Sequence, residues 1–221
     1  MNRTATILFR IVLLHLSLLS SLLWSAEAPW KTLLNGRNLE GWEVIGDGLW
    51  HVSSDGLLVG ERDLKTSHDQ SWLYTRRNNF DEFDLRVEYW LRYEGNSGIS
   101  IRDSSRARYA VPPDSDPGRT PSHIGYEIQL SNHSGDEFPT GSVYHFDHAK
   151  EGALKEFDWN QVEIQARHTG IRVLLNGQAV SQSAGDPNRP LTGPIGIQLH
   201  DRNTVILIRR IEIREIVSNP K

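Results

Sequence analysis

The chain reads as an all-β protein, a sandwich or jelly roll of two antiparallel sheets. Two patterns point there. Beyond the first thirty residues helical periodicity is absent, and short runs alternate apolar with polar side chains, the period of strands that bury one face. Glycine, asparagine, aspartate and proline separate these runs, as tight turns between strands require.

The first segment lies outside that pattern. Arg3 and Arg10 accompany an apolar run from Ile11 to Leu23, and Ala26-Glu27-Ala28 supplies the small residues of a cleavage site. The run is short for a membrane span and turns polar at once. Residues 1–28 are expected to be a signal peptide and residues 29–221 a single domain. Strands are expected over Leu57–Gly60, Phe83–Arg92, Gly98–Arg102, Tyr126–Leu130, Gln161–Ala166, Ile171–Leu175, Ile195–His200 and Val205–Ile216. The strongest local signal is Asn176-Gly177 between apolar strands, which suits a two-residue turn with positive φ at both central positions. Between Asp103 and Ser122 lie Pro112, Pro113, Pro117 and Pro121, so this stretch is a long loop beside the strands that carry Arg102 and Glu127.

Composition narrows the function. The 221 residues include no cysteine and carry a formal net charge of −4. Disulfides and thiolate chemistry are excluded. A mildly acidic chain offers no electrostatic attraction to nucleic acid or an anionic membrane, so neither is an expected partner. An exported domain without disulfides takes its stability from its core, which suits a bacterial periplasm or cell exterior.

The chemistry concentrates on one face. On the strand beginning at Tyr126, Ile128 and Leu130 share one side with Tyr126, and Glu127, Gln129 and Ser131 share the other. Ile99 and Ile101 alternate with Ser100 and Arg102, and Val143 with Ser142 and Tyr144. Ile195, Ile197 and Leu199 alternate with Gly196, Gln198 and His200. One surface is therefore expected to receive Arg102, Glu127, Gln129, Tyr144, Gln198 and His200. As a purely structural face it would pair Glu127 with Arg102. For chemistry that needs two carboxyl groups, as retaining hydrolysis does, the face is short of an acid, because Glu127 is followed on it by Gln129 and Ser131. Only Asp103, Asp136 or Asp147, in flanking loops, could supply a second. Trp42, Trp50, Trp72, Trp90 and Trp159 could stack on sugars but suit a core better.

Seven segments follow one another in order: Leu33-Leu-Asn-Gly-Arg-Asn-Leu-Glu-Gly-Trp42, Gly95-Asn-Ser-Gly-Ile-Ser-Ile-Arg102, Gly125-Tyr-Glu-Ile-Gln-Leu130, Thr140-Gly-Ser-Val-Tyr144, Trp159-Asn160, Leu175-Asn-Gly177 and Gly193-Pro-Ile-Gly-Ile-Gln-Leu-His200. Together they resemble the 3-keto-disaccharide hydrolase domain family. The resemblance covers roughly Trp30 to Ile216 and implies a concanavalin A-like jelly roll related in fold to laminarinase-type glucanases. It also implies an enzyme for glycosides whose ring carries a ketone at carbon 3, acting by 1,2-elimination or by hydration of the resulting glucal. A ketone makes the proton on carbon 2 acidic, so one base suffices. On that reading Glu127 or His200 is the base, while Arg102 and Tyr144 stabilise the enolate or protonate the leaving oxygen. Asn96, Gln129 and Gln198 hold ring hydroxyls. The expected partner is a small carbohydrate, and no cofactor is expected. The place that best suits a divalent ion is His145-Phe-Asp-His148, with His123 or His133, although strand register sets His145 opposite Tyr144. The runner-up is a carbohydrate-binding module without chemistry, and a third reading is a structural or adhesive surface domain.

Overall fold

A computed structural model describes residues 28–62 and 70–216. The expected signal peptide falls almost wholly outside the described residues. Among the described residues thirteen strands follow in order: β1 Lys31–Thr32, β2 Trp42–Ile45, β3 Leu49–Val52, β4 Leu58–Glu61, β5 Ser71–Thr75, β6 Phe83–Leu91, β7 Asn96–Ile101, β8 Tyr126–Ser131, β9 Asn160–Arg167, β10 Gly170–Leu175, β11 Gln178–Ser183, β12 Ile195–Leu199 and β13 Val205–Glu215. They form two antiparallel sheets, the jelly-roll sandwich the alternation predicts. The larger runs β11-β10-β9-β6-β13-β4-β3, with β1 added beside β13, and the smaller runs β2-β5-β12-β7-β8. No helix among the described residues is long and apolar enough to cross a membrane.

The core is the space between the sheets. From the larger sheet Leu85, Val87, Val162, Ile164, Ile206, Ile208, Ile211 and Ile213 meet Leu73, Ile99, Ile101, Ile128, Leu130, Ile195, Ile197 and Leu199 from the smaller. Ile208 and Ile211 both point inward although three residues apart. A register shift against β6 between Ile208 and Arg210 absorbs the extra residue. Asn176 and Gly177 have φ of 50° and 82°, so the β10–β11 turn is the one expected. Trp42, Trp50 and Trp72 are buried. Trp90 and Trp159 are half-buried, and Arg209 sits 4.5 Å above the Trp159 ring.

The alternating run that carries Tyr144 does not form a strand. Residues 141–144 make a single bridge, Val143 to Ile128, and then turn back so that Val143 also pairs with Asp147. The backbone still tracks β8: Gly141 N donates to Gln129 O at 2.8 Å and Tyr144 N to Glu127 O at 2.9 Å. The segment is thus an edge ribbon that delivers Tyr144 beside Glu127.

Candidate functional site

The larger sheet follows the rule for a half-exposed sheet: β9 is buried at every second residue. The smaller sheet does not. Every residue of β5, β8 and β12 is buried, although the face away from the core carries Ser100, Glu127, Gln129 and Gln198. Burying such groups without partners is costly, so their neighbours decide what the face is for.

Two glycines shape it. Gly98 lies opposite Gln129, and Gly196 lies between Ser100 and Tyr74. The missing side chains leave shallow floors that neighbours fill. The Glu127 side chain crosses Gly98, where a Cβ would stand 3.0 Å from its Cγ and Cδ. The Tyr74 ring crosses Gly196, where a Cβ would meet ring carbons at 2.6 and 2.7 Å. Tyr74 donates its hydroxyl proton to Asp103 Oδ2 at 2.9 Å and lies 3.0 Å from Ser100 Oγ. Asp103 also accepts from Ser105 N at 2.9 Å, Ser105 Oγ at 2.7 Å and Ala107 N at 2.7 Å.

Those bonds pin the root of the proline-rich loop over the sheet. Ala107 and Ala110 pack on Trp72 and Tyr74, and Arg106 pairs with Glu43 of β2 at 2.9 Å. The loop therefore covers the β2–β5 side of the face and leaves the β12–β8 side, where Glu127 and His200 stand. Short helical turns at Arg108–Ala110, Pro117–Arg119 and Pro121–Ile124 stiffen it.

Glu127 is the electrostatic centre. Burial pushes its carboxyl up to about 7, opposed by the nearby charge of His200 and by a hydrogen bond from Gln198. His200 Nδ1 lies 2.8 Å from Asp201 Oδ1. That bond raises the imidazole's pKa, and Glu127 adds to the effect. With Nδ1 committed to Asp201, Nε2 is the nitrogen left for a ligand. His200 lines a cleft of about 400 Å3 together with Tyr109, Asp116, Thr120 and Arg202. The other Asp201 oxygen lies 3.3 Å from His133 Nε2. Asp201→Asn is expected to move the His200 titration, followed by imidazole chemical shifts, to lower pH.

Gln129 Nε2 donates to Asn96 Oδ1 at 3.1 Å, and His200 N donates to Asn96 O at 3.1 Å, so both amides stand at the His200 end. Gln198 Nε2 donates to Gln70 at 3.2 Å. The Tyr144 hydroxyl is held protonated, its pKa raised by partial burial and by the Glu127 charge, and its ring packs on Phe138 at 4.7 Å. Six of the seven expected residues thus converge: Asn96, Glu127, Gln129, Tyr144, Gln198 and His200.

Arg102 is the exception and requires a correction. Its φ of 62° breaks the alternation at the end of β7. The buried guanidinium turns away and donates to Asp81 O and Arg167 O, each at 3.3 Å. It is a clamp on neighbouring loops, not a partner of Glu127. Arg102→Ala is expected to lower the urea midpoint, costing about 1–3 kcal/mol, without changing ligand affinity of the folded fraction.

The acids and histidines in the flanking loops also disperse. Asp147 Oδ2 accepts from Gln182 N at 2.8 Å, Asp136 accepts from the Ser131 hydroxyl, and Asp103 is enclosed as above. His148 Nδ1 lies 2.6 Å from Glu137 O, and His145 packs at an angle against the rings of His123 and Tyr144. No three His, Cys, Asp or Glu side chains among the described residues converge as metal ligands. Tyr74, Asp201 and the two glycines are residues of this face that were not among the expected site residues. The available signal was glycine at two outward positions of polar strands, where only a neighbour lying across the backbone needs the space.

The smaller sheet thus buries a carboxyl and two amides on its outer face, beside a half-exposed, oriented imidazole, and the family match makes it a carbohydrate-active domain. The chain belongs to the 3-keto-alpha-glucoside-1,2-lyase-like domain family, whose model matches residues 29–214. Comparison with curated proteins finds no match. Among solved structures it is similar to a candidate glycosyl hydrolase from Parabacteroides distasonis ATCC 8503, with 21% identity over 85% of this chain and 100% of the other, at TM-score 0.65. It is also similar to the carbohydrate-binding module CBM66 from Bacillus subtilis, with 13% identity over 79% and 96% of the two chains at TM-score 0.54. A third is the VIP36 exoplasmic/lumenal domain bound to Ca2+ and Man3GlcNAc, with 9% identity over 86% and 93% at TM-score 0.56. At these identities the likeness is one of fold.

Proposed function

We propose that the domain is an enzyme that cleaves 3-keto-glycosides by elimination across carbons 1 and 2. The observation that carries this reading is Glu127: the single carboxyl on its face of β8, balanced near neutrality beside an imidazole that Asp201 orients. That set suits proton abstraction next to a ketone and does not suit retaining hydrolysis.

Ionised Glu127 takes the proton from carbon 2, and the electron pair forms an enolate across carbons 2 and 3. The ketone then re-forms, carbons 1 and 2 become doubly bonded, and the bond from carbon 1 to the leaving oxygen breaks. His200, whose hold on its proton Asp201 strengthens, gives that proton to the leaving oxygen. The Tyr144 hydroxyl donates to the enolate oxygen, and Asn96, Gln129 and Gln198 hold ring hydroxyls. Addition of water to the glucal runs the same proton transfers in reverse.

The second reading is a binding module. Amides paired as Gln129 and Asn96 are suit sugar hydroxyls without chemistry, and the CBM66 likeness favours the comparison. Mass-spectrometric turnover of 3-keto-trehalose, 3-keto-glucosides and their unoxidised parents separates the two. Turnover of the keto sugars alone, lost in Glu127→Gln, is the expected result. Glycan binding without turnover of any sugar would sink the enzymatic reading. The leader expected over residues 1–28 would place this activity in the periplasm or outside the cell, which N-terminal sequencing of the mature protein tests.

A further inference from the structure

We propose that a second cavity, at the end of the sandwich beyond Ser131, is a subsite for neutral sugar units attached to the reacting ring. The inference takes the position of that ring from the reading above. The cavity measures about 660 Å3, within the range of small-ligand sites.

Its most telling feature is an aromatic pair. Tyr93, from the turn between β6 and β7, and Phe157, from the loop before β9, line it with ring centroids 5.8 Å apart and planes tilted by 31°. They are 59% and 65% exposed, the only aromatics among the exposed large apolar residues described. Rings left in water add little to folding. Their faces carry the negative part of the ring quadrupole, which attracts the C–H side of a pyranose.

Charge then selects the class of sugar. Glu94, Glu151 and Glu156 line the cavity against the single ammonium of Lys150. Carboxylates accept hydroxyl protons, and their excess repels uronates and sulfated sugars. The ligand is a neutral oligosaccharide.

Two links join this cavity to the candidate site. Glu127, Gln129 and Ser131 share one face of β8, and Ser131 lines the cavity. The row that starts at the reactive carboxyl therefore ends there, about 13 Å away at ~3.3 Å per residue. His133 also lines the cavity, and its Nε2 approaches Asp201, the carboxylate that orients His200.

Isothermal titration of the wild type and a Tyr93→Ala/Phe157→Ala double variant tests this. The probes are unoxidised cello-, laminari- and malto-oligosaccharides from di- to pentasaccharide, with an oligogalacturonide as the anionic arm. Affinity for at least one neutral series is expected to rise with length and to fall about tenfold in the double variant; the oligogalacturonide is not expected to bind. Length-independent binding, no binding of any neutral series, or a double variant that binds like the wild type would overturn the subsite. Turnover of a methyl 3-keto-glucoside, which fills only the reacting position, is expected to be unchanged in the double variant. Its absence in both proteins, with length-dependent binding retained, would remove the elimination chemistry and leave the subsite standing.

Discussion

Glu127→Gln is expected to slow turnover of 3-keto-glycosides by about 10²–10⁴-fold and, at the same time, to stabilise the fold above neutral pH. The two effects share a cause. Burial raises the Glu127 carboxyl from 4.5 to about 7, which makes it a base matched to neutral pH and also a costly charge to hold in the folded state. A raised pKa means the folded protein binds the proton more tightly than the unfolded chain does. Its contribution to stability is complete below about 4.5 and is lost as pH rises through about 7. The loss amounts to roughly 3 kcal/mol. Glutamine keeps the shape without the ionisation. Melting curves are expected to coincide near pH 4, and at pH 8 to separate by about 6–12 °C in favour of the variant. Equal melting temperatures at both pH values would mean that Glu127 is not the strained carboxyl described. The pH dependence of wild-type kcat/KM is expected to be a bell. It rises through about 7 as Glu127 ionises and falls as His200, held above its ordinary 6.5 by Asp201, loses its proton.

Gly98→Ala and Gly196→Ala are expected to fail in opposite ways. A Cβ at Gly98 collides with the Glu127 carboxylate and with its Cγ and Cδ, the movable end of a flexible side chain. The carboxylate swings aside, the fold survives, and turnover falls by about 10²-fold, the cost of a displacement near 1 Å. At Gly196 the new Cβ collides with the Tyr74 ring. That ring is wholly buried and tied through its hydroxyl to Asp103 and Ser100. It cannot move without releasing the root of the 103–122 loop, so the substitution costs about 1–3 kcal/mol of stability. Urea denaturation alongside turnover of refolded protein distinguishes them. Loss of stability in Gly98→Ala, with normal turnover, would show that Glu127 is not held in place by that floor.

Alternation along a strand is a local property, and where it alone decides, the sequence was sufficient. It predicted the sandwich and the common face of Glu127, Gln129 and Gln198 with His200 at its end, because a period of two places those side chains on one side of their strands; the β10–β11 turn came equally locally, from Asn176-Gly177. Arg102 obeyed the same pattern until one backbone angle of 62° turned it to the other side. Tyr144 reached the site through a bridge and a tight turn rather than through a strand. β5 went unseen because Ser71-Trp-Leu-Tyr-Thr75 is buried on both faces and shows no alternation to read. The chemistry of the face was the least legible part. Nothing in Glu127's neighbours along the chain sets its proton affinity; burial across Gly98 of the neighbouring strand raises it, and the opposing charge comes from His200, more than seventy residues away. Side-chain direction is written in the local pattern, whereas desolvation and charge pairing arise only when distant segments meet.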